Sequence, residues 1–242
     1  MFRSTGAAFS VLLLAGTLAG AGELHYLEQE LVVEAQQGRP ENRGLQKVWW
    51  DEQRIRSEST YDGRTSVAII DDRAGKVTLL FPGEKTWLGI ELEHYRQVLA
   101  RRLTAAGLND PQAEIKLEHT GRQRRIGDWD CHLDVITMTG KWPVRAELWV
   151  ADQAQLEPAG YLQLLQRLGL ERVFGRLAEQ VEALGGLVIE SRTEQEIHGQ
   201  KIVTRQRIVK ISSRPDRGKT FAVPAGWQQL QDEKFEPEKG GD

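Results

Sequence analysis

A single cysteine, Cys131, stands among the 242 residues. One thiol excludes an internal disulfide framework and a four-cysteine zinc site. Neither sign of charge dominates, since 32 Lys and Arg face 35 Asp and Glu for a formal net charge of -3. With no strongly basic half, nucleic acid is not an expected partner. Beyond the N-terminal stretch, no apolar run approaches the roughly 20 residues of a membrane-spanning helix. The chain also lacks a G-x-S-x-G elbow, a phosphate-binding loop, a dinucleotide fingerprint and an H-E-x-x-H pair. No carboxylate pair is singled out by spacing as a glycosidase dyad. No cofactor, metal or catalytic residue is predicted, and an enzyme would need a site that the linear order hides.

What is present begins with an export address. The chain opens MFRSTGAAFSVLLLAGTLAGAGELHY. Arg3 gives a positive start, Ala7 to Leu18 an apolar stretch, and Ala19-Gly20-Ala21 a small-x-small cleavage pattern. That is the layout of a secretory signal peptide over residues 1–21, with a mature chain from about Gly22. The alternative is an N-terminal anchor, for which the run is short. No cysteine follows LAGAG, so no lipoprotein anchor is encoded. Export with only one thiol points to the periplasm, because small secreted domains usually rely on disulfides.

The mature chain reads as mainly β. Glu23 to Ala35 fits helix or strand. Leu45 to Trp50, Gln53 to Thr60, Thr65 to Ile70, Lys76 to Phe81 and Lys85 to Gly89 read as strands, with turns at Asp62-Gly63 and Pro82-Gly83. Connections this short leave no room for parallel crossovers, so the sheet is predicted antiparallel. Leu92, Tyr95, Leu99, Leu103 and Ala106 recur at helical spacing up to Gly107. A second β run takes in Ala113 to Thr120, Arg122 to Ile126, Trp129 to Met138 and Val144 to Val150. A helical region is predicted from Pro158 to Leu184, as one helix or two, stopped by Gly185-Gly186. Leu187 to Ile197 and Lys201 to Ile211 form a hairpin, and Phe221, Val223, Pro224 and Trp227 a last apolar piece. Charged residues 232–242 read as a disordered tail. With no linker inside, residues 22–231 form one domain of about nine to eleven antiparallel strands with inserted helices.

Few residues stand out for chemistry. The five histidines, His25, His94, His119, His132 and His198, show no metal spacing. In Trp129-Asp130-Cys131-His132-Leu133-Asp134, alternation puts Trp129, Cys131 and Leu133 on one face and Asp130, His132 and Asp134 on the other. Cys131 therefore reads as a buried, inert thiol and the acidic face as hydrated, with a polar binding surface as the alternative. Arg122, Arg124 and Arg125 read as solvated charge or as contacts for anionic headgroups or a protein partner. Seven tryptophans sit mostly in or beside strands. They fit a packed core, or the lining of an apolar cleft enclosed by a curved sheet.

The order of motifs resembles the LolA-like group, the outer-membrane lipoprotein carrier superfamily, and within it exported domains of unknown function. The residues that carry this are VWWDEQRIRSEST, DGRTSVAIIDDRAGKVTLLFPGEKTW, and TGRQRRIGDWDCHLDVITM followed by AELWVAD. Thr120-Gly121, Ile126 and Gly127, Trp149-Val150-Ala151, and the late Pro224, Gly226 and Trp227 fall in the layout of such domains. The resemblance spans residues 23–230. It implies an unclosed, curved antiparallel β-barrel wrapped over helices, and binding of acyl chains or related apolar groups. It departs from true carriers in its long helical region and its tryptophan load.

The leading expectation is a periplasmic, non-enzymatic carrier of a lipid-like ligand, with Trp87, Trp129 and Trp149 at the cavity or its rim. The second is an envelope protein-interaction domain using Trp49, Trp50 and Arg124. A hydrolase with a concealed site is the third.

Overall fold

The computed structural model describes residues 23–35, 40–105, 113–141, 143–151, 177, 179–197, 199–215 and 218–231. Six strands come first: β1 (Glu23–Val33), β2 (Asn42–Trp50), β3 (Arg54–Tyr61), β4 (Arg64–Asp71), β5 (Lys76–Phe81) and β6 (Thr86–Glu91). Helix α1 (Leu92–Ala105) interrupts them. Then come β7 (Ile115–Ile126), β8 (Trp129–Met138), β9 (Val144–Ala151), β10 (Leu187–Ile197), β11 (Gln200–Pro215) and β12 (Gln228–Gln229). Residues 179–183 are helical as well. Of the predicted 158–184 helical region only Leu177 and residues 179–184 are described; its other residues, Gly107 and residues 232–242 lie outside the described residues.

All strands join one sheet in the order β12-β6-β5-β4-β3-β2-β1-β11-β10-β9-β8-β7. Its ends are β12 and β7, so the sheet does not close. The two β runs are hairpin series, and they meet where β1 pairs β11. That long-range pairing decides the ambiguous Glu23–Ala35 segment in favour of strand. Asp62-Gly63 is the two-residue β3–β4 turn, with φ of 51° and 70° at the two positions. Positive φ at both central residues matches the right-handed twist of the flanking strands.

Helix α1 reveals the curvature. Its Leu92 and Tyr95 pack on Ile70 of β4 and Val77 of β5. Its Leu99 packs on the cluster of Ile136, Leu148 and Val150 from β8 and β9. Leu92 and Leu99 stand about 10 Å apart along the helix axis. Strands β4 and β9 are six positions apart in the sheet, roughly 29 Å if it were flat. The sheet therefore bends around α1. Register agrees: Val77, Ile70, Ile55, Trp50 and His25 share a face from β5 to β1. On the same face of β1, Leu31 leads through Gln206, Ser191 and Leu148 to Asp134 of β8. This curved, open sheet with α1 on its inner face is the architecture expected from the sequence.

Two details differ from the expectation. Twelve strands form among the described residues, one beyond the predicted range. The extra one, β12, runs parallel to β6 rather than antiparallel. Phe221, Val223 and Trp227 pack on Val67, Ile69, Leu80 and Trp87, which delivers the chain alongside the edge of β6. There Gln228 N donates to the Lys85 carbonyl at 3.1 Å and Leu230 N to that of Trp87 at 2.7 Å.

Local chemistry fixes two junctions. Between β2 and β3, Asp51 Oδ1 accepts from the backbone N–H of Gln53 at 2.9 Å and of Arg54 at 2.6 Å. Its Oδ2 accepts from Arg54 Nε at 2.9 Å and a terminal guanidinium nitrogen at 2.6 Å. Desolvation by burial raises the Asp51 carboxyl, but these hydrogen bonds and the Arg54 charge outweigh it and hold the group below its ordinary range. Before β10, Gly186 faces β9 so closely that a Cβ would stand 2.5 Å from the Ala151 carbonyl oxygen.

The lowered Asp51 carboxyl stabilises the fold above the ordinary carboxylate range, and that contribution disappears as pH falls through the lowered folded-state value. Asp51→Asn is expected to lose about 1–2 kcal/mol at pH 7. Its urea midpoint should then fall less than the wild type's between pH 7 and pH 3. Gly186→Ala is expected to cost about 1–3 kcal/mol through overpacking, read as a lower urea midpoint at unchanged slope.

Candidate functional site

The inner face of the sheet divides into three zones. At one end, Ile70, Val77 and Leu79 lie under Leu92 and Tyr95. At the other, Ile136, Leu148, Val150 and Val188 lie under Leu99, Leu177, Val181 and Leu184. Burial raises the Tyr95 phenol, with the nearby Arg102 charge opposing it. Between these zones a seam of polar side chains on β1, β2, β3, β10 and β11 runs beside a third apolar cluster that includes Leu27, Val48, Trp50, Ile55 and Ile208.

The seam is internally hydrogen-bonded. Gln29 Nε2 donates to Gln46 Oε1 at 2.5 Å, and Gln46 Nε2 donates to Ser57 Oγ at 3.0 Å. Ser191 Oγ reaches Gln206 Oε1 at 3.5 Å. His25 is 3% exposed, stacks on Trp50 with ring centroids 5.4 Å apart, and sets Nδ1 2.8 Å from Ser213 Oγ. Its Nε2 is buried with no hydrogen-bond partner. Buried amides and hydroxyls are tolerated because each finds a partner; an unpaired one costs about 1–3 kcal/mol.

At the β8 end of this face, Asp134 is fully buried. Its Oδ1 lies 3.0 Å from His119 Nδ1 and its Oδ2 3.2 Å from His132 Nε2. This corrects the expectation of a hydrated Asp130–His132–Asp134 face. Only Asp130 is exposed; the curl of the sheet carries Asp134 beneath the helix-covered zone, beside its β9 partner Leu148.

The predicted site residues scatter. Trp129 and Trp149 are both half-buried and both pack against the cluster that joins Leu27, Val48, Trp50 and Ile55 to Cys131, Ala151 and Leu187. They occupy the faces of β8 and β9 opposite to Asp134 and Leu148. Arg124 lies 4.0 Å above the Trp149 ring and bonds Glu190 at 2.5 Å, with Arg122 at 5.9 Å from the same ring. Trp87 is elsewhere, under the C-terminal Phe221–Trp227 segment. Trp50 is not a surface residue: it is 8% exposed, because its position on β2 points inward onto His25 and Ile55. Trp49 faces the other way. It lies in a row with Tyr26, whose ring centroid is 5.1 Å away, and Arg56, at 5.6 Å, while Lys210 stands 5.8 Å over Tyr26. Cys131, 3% exposed, is the buried thiol the alternation predicts.

The sequence profile of a family described as "Domain of unknown function (DUF4412)" matches residues 32–227. The chain belongs to the DUF4412 family. No curated protein matches it. Among solved structures, this DUF4412 domain is similar to an uncharacterized conserved protein from Thermus thermophilus, at 10% identity and TM-score 0.45 over 85% of this chain and 89% of that one. It is also similar to an outer membrane lipoprotein-sorting protein domain from Vibrio parahaemolyticus, at 9% identity and TM-score 0.28. A DUF1329 family protein from Desulfovibrio piger shows 11% identity and TM-score 0.28. Each of these two alignments covers 89% of this chain and 90% of the other.

The glutamine seam and the His119–Asp134–His132 group were missed by the sequence reading. Counting back from the Gly127-Asp128 turn in the register Ile126↔Trp129 sets His119 opposite Ile136. A bulge between His119 and Gln123 moves it opposite Asp134 instead. The Thr120-Gly121 break was the available signal.

Gln46→Leu should strand the Gln29 amide and the Ser57 hydroxyl, lowering stability by about 1–3 kcal/mol in urea unfolding. The Gln29→Leu/Gln46→Leu pair should cost less than the sum of the two single changes, since each removes the other's stranded partner.

Proposed function

We propose that this DUF4412 domain is an exported, non-enzymatic carrier of a lipid-like molecule, working in the periplasm. One observation carries the reading: the inner face is apolar under the helices at both ends, and in between a buried polar seam runs beside the Leu27–Val48–Trp50–Ile55 cluster. An amphiphile fits that division, with its chain against Leu148, Val150, Ile136 and Leu99 and its polar group toward the glutamine seam. The N-terminal pattern of residues 1–21 supports export, and the motif order supports kinship with LolA-like carriers. Among the described residues, no helix is long and apolar enough to cross a membrane. In this reading the cargo-facing side chains are these aliphatics, while Trp129 and Trp149 pack on the central Leu27–Trp50–Ile55 cluster and Trp87 braces the other side of the sheet.

A second reading has its own observation. The Lys210–Tyr26–Trp49–Arg56 row sets cations beside half-exposed aromatics across four adjacent strands. Such a strip suits an envelope protein with an acidic or aromatic contact surface. Arg124 on Trp149 would extend that role to a second patch.

The test is expression of the full chain with export to a bacterial periplasm, mild purification, and mass spectrometry of extracted lipids. Near-stoichiometric acyl lipid is expected, with at least a tenfold reduction in folded Leu148→Gln and none in Trp49→Ala. Lipid-free protein that also fails to bind a fluorescent fatty-acyl probe would sink the carrier reading. Reproducible crosslinking of one envelope protein through position 49, in that lipid-free case, would favour the second.

A further inference from the structure

We infer that His119, His132 and Asp134 form a binding site for a divalent transition-metal ion of the Zn²⁺ type. The three side chains offer two imidazole nitrogens and a carboxylate oxygen, all within 4.8 Å of one another. Zinc bonds to such ligands run about 2.0–2.2 Å, which sets ligand atoms about 3.4 Å apart in a tetrahedron. The carboxylate already stands 3.0 Å from His119 Nδ1 and 3.2 Å from His132 Nε2. Only the gap between the two imidazoles has to close. His119 can move to close it, because its side chain is 63% exposed, whereas Asp134 is fixed at 0%.

Charge argues the same way. A carboxylate sealed from water is unfavourable without positive charge beside it. A divalent ion shared by all three groups supplies that charge and takes one donor atom from each side chain. Two nitrogens in a set of three disfavour Ca²⁺ and Mg²⁺, which take oxygen ligands, and favour Zn²⁺ and its late first-row neighbours. Three protein ligands leave a fourth position for water or an incoming anion, reached from the exposed His119 side.

The backbone is shaped for this grouping. Between His119 and Gln123, β7 spends four residues where β8 spends two, from Asp134 to His132. Thr120 Oγ1 pins the bulge by donating to the Leu133 carbonyl at 2.6 Å and accepting from Arg122 N at 3.3 Å. Bulges of this kind re-aim side chains next to functional sites. Here the bulge turns His119 away from an apolar partner, Ile136, and onto the one buried carboxylate of β8.

The full chain, stripped with chelator and dialysed, is titrated with Co²⁺ and then with Zn²⁺. A tetrahedral or five-coordinate Co²⁺ absorption band saturating at one ion per chain and displaced by Zn²⁺ is expected. A rise in melting temperature with Zn²⁺ is expected alongside it, since the ion binds only the folded state. His132→Ala and the surface-accessible variant His119→Ala should each weaken Co²⁺ binding at least tenfold, with circular dichroism unchanged. His94→Ala, on α1, should bind as the wild type does. Absence of Co²⁺ and Zn²⁺ binding by folded protein at 100 μM metal, or binding indifferent to both His119→Ala and His132→Ala, overturns the proposal and leaves a purely hydrogen-bonded triad. Neither result bears on lipid retention, which is read separately.

Discussion

The bend of the sheet around α1 is the constraint on which the rest depends. Only because the sheet curls can one short helix reach Ile70 and Val77 with its first turn and the Ile136–Leu148 cluster two turns later. The bend gives the sheet an inside, and the inside is where all the buried polar residues with known registers lie: His25, Gln29, Gln46, Asp134, Ser191, Thr204 and Gln206. A flat sheet would leave these groups in water, where they would need no partners at all. Curvature turns them into a network whose geometry has to be satisfied from within the protein.

Much of the fold was legible in the residues. Strand alternation in Trp129–Met138 placed Cys131 in the core, and Asp62-Gly63 marked its hairpin, because both signals are local. The antiparallel pairing followed from connections too short to cross over, and the open, curved form from the family resemblance. What stayed hidden depends on pairing at a distance. Glu23–Ala35 could not be assigned until β11 supplied its partner. The direction in which Trp50 points is set by the face that the curl turns inward, and the same curl buries Asp134, which by composition looks like a solvent residue. β12 escaped notice because two glutamines carry no strand signal; packing of Phe221, Val223 and Trp227 put them there.

The inner face also explains why no single catalytic motif marks this chain. Its distinctive groups come singly from many strands: one glutamine each from β1 and β2, a serine each from β3 and β10, two histidines and an aspartate from the β7–β8 hairpin. Apart from His132 and Asp134 on β8 and Thr204 and Gln206 on β11, none has a near sequence neighbour of related chemistry on the same face. The chemistry is assembled across the ladder, in the direction of the backbone hydrogen bonds, and linear spacing has no access to that direction.

An open sheet has two borders, and each exposes backbone groups that can recruit a stranger's strand and start aggregation. This protein treats its two borders differently. At β6 the chain's own return through Gln228 and Gln229 occupies the hydrogen-bonding positions. At β7 no further strand pairs among the described residues, and the exposed run of Lys116, Glu118, Arg122, Arg124 and Arg125 meets any approaching backbone with charge. One border is sealed by pairing and the other is defended by repulsion, so a sheet that never closes into a ring can still remain a solitary one.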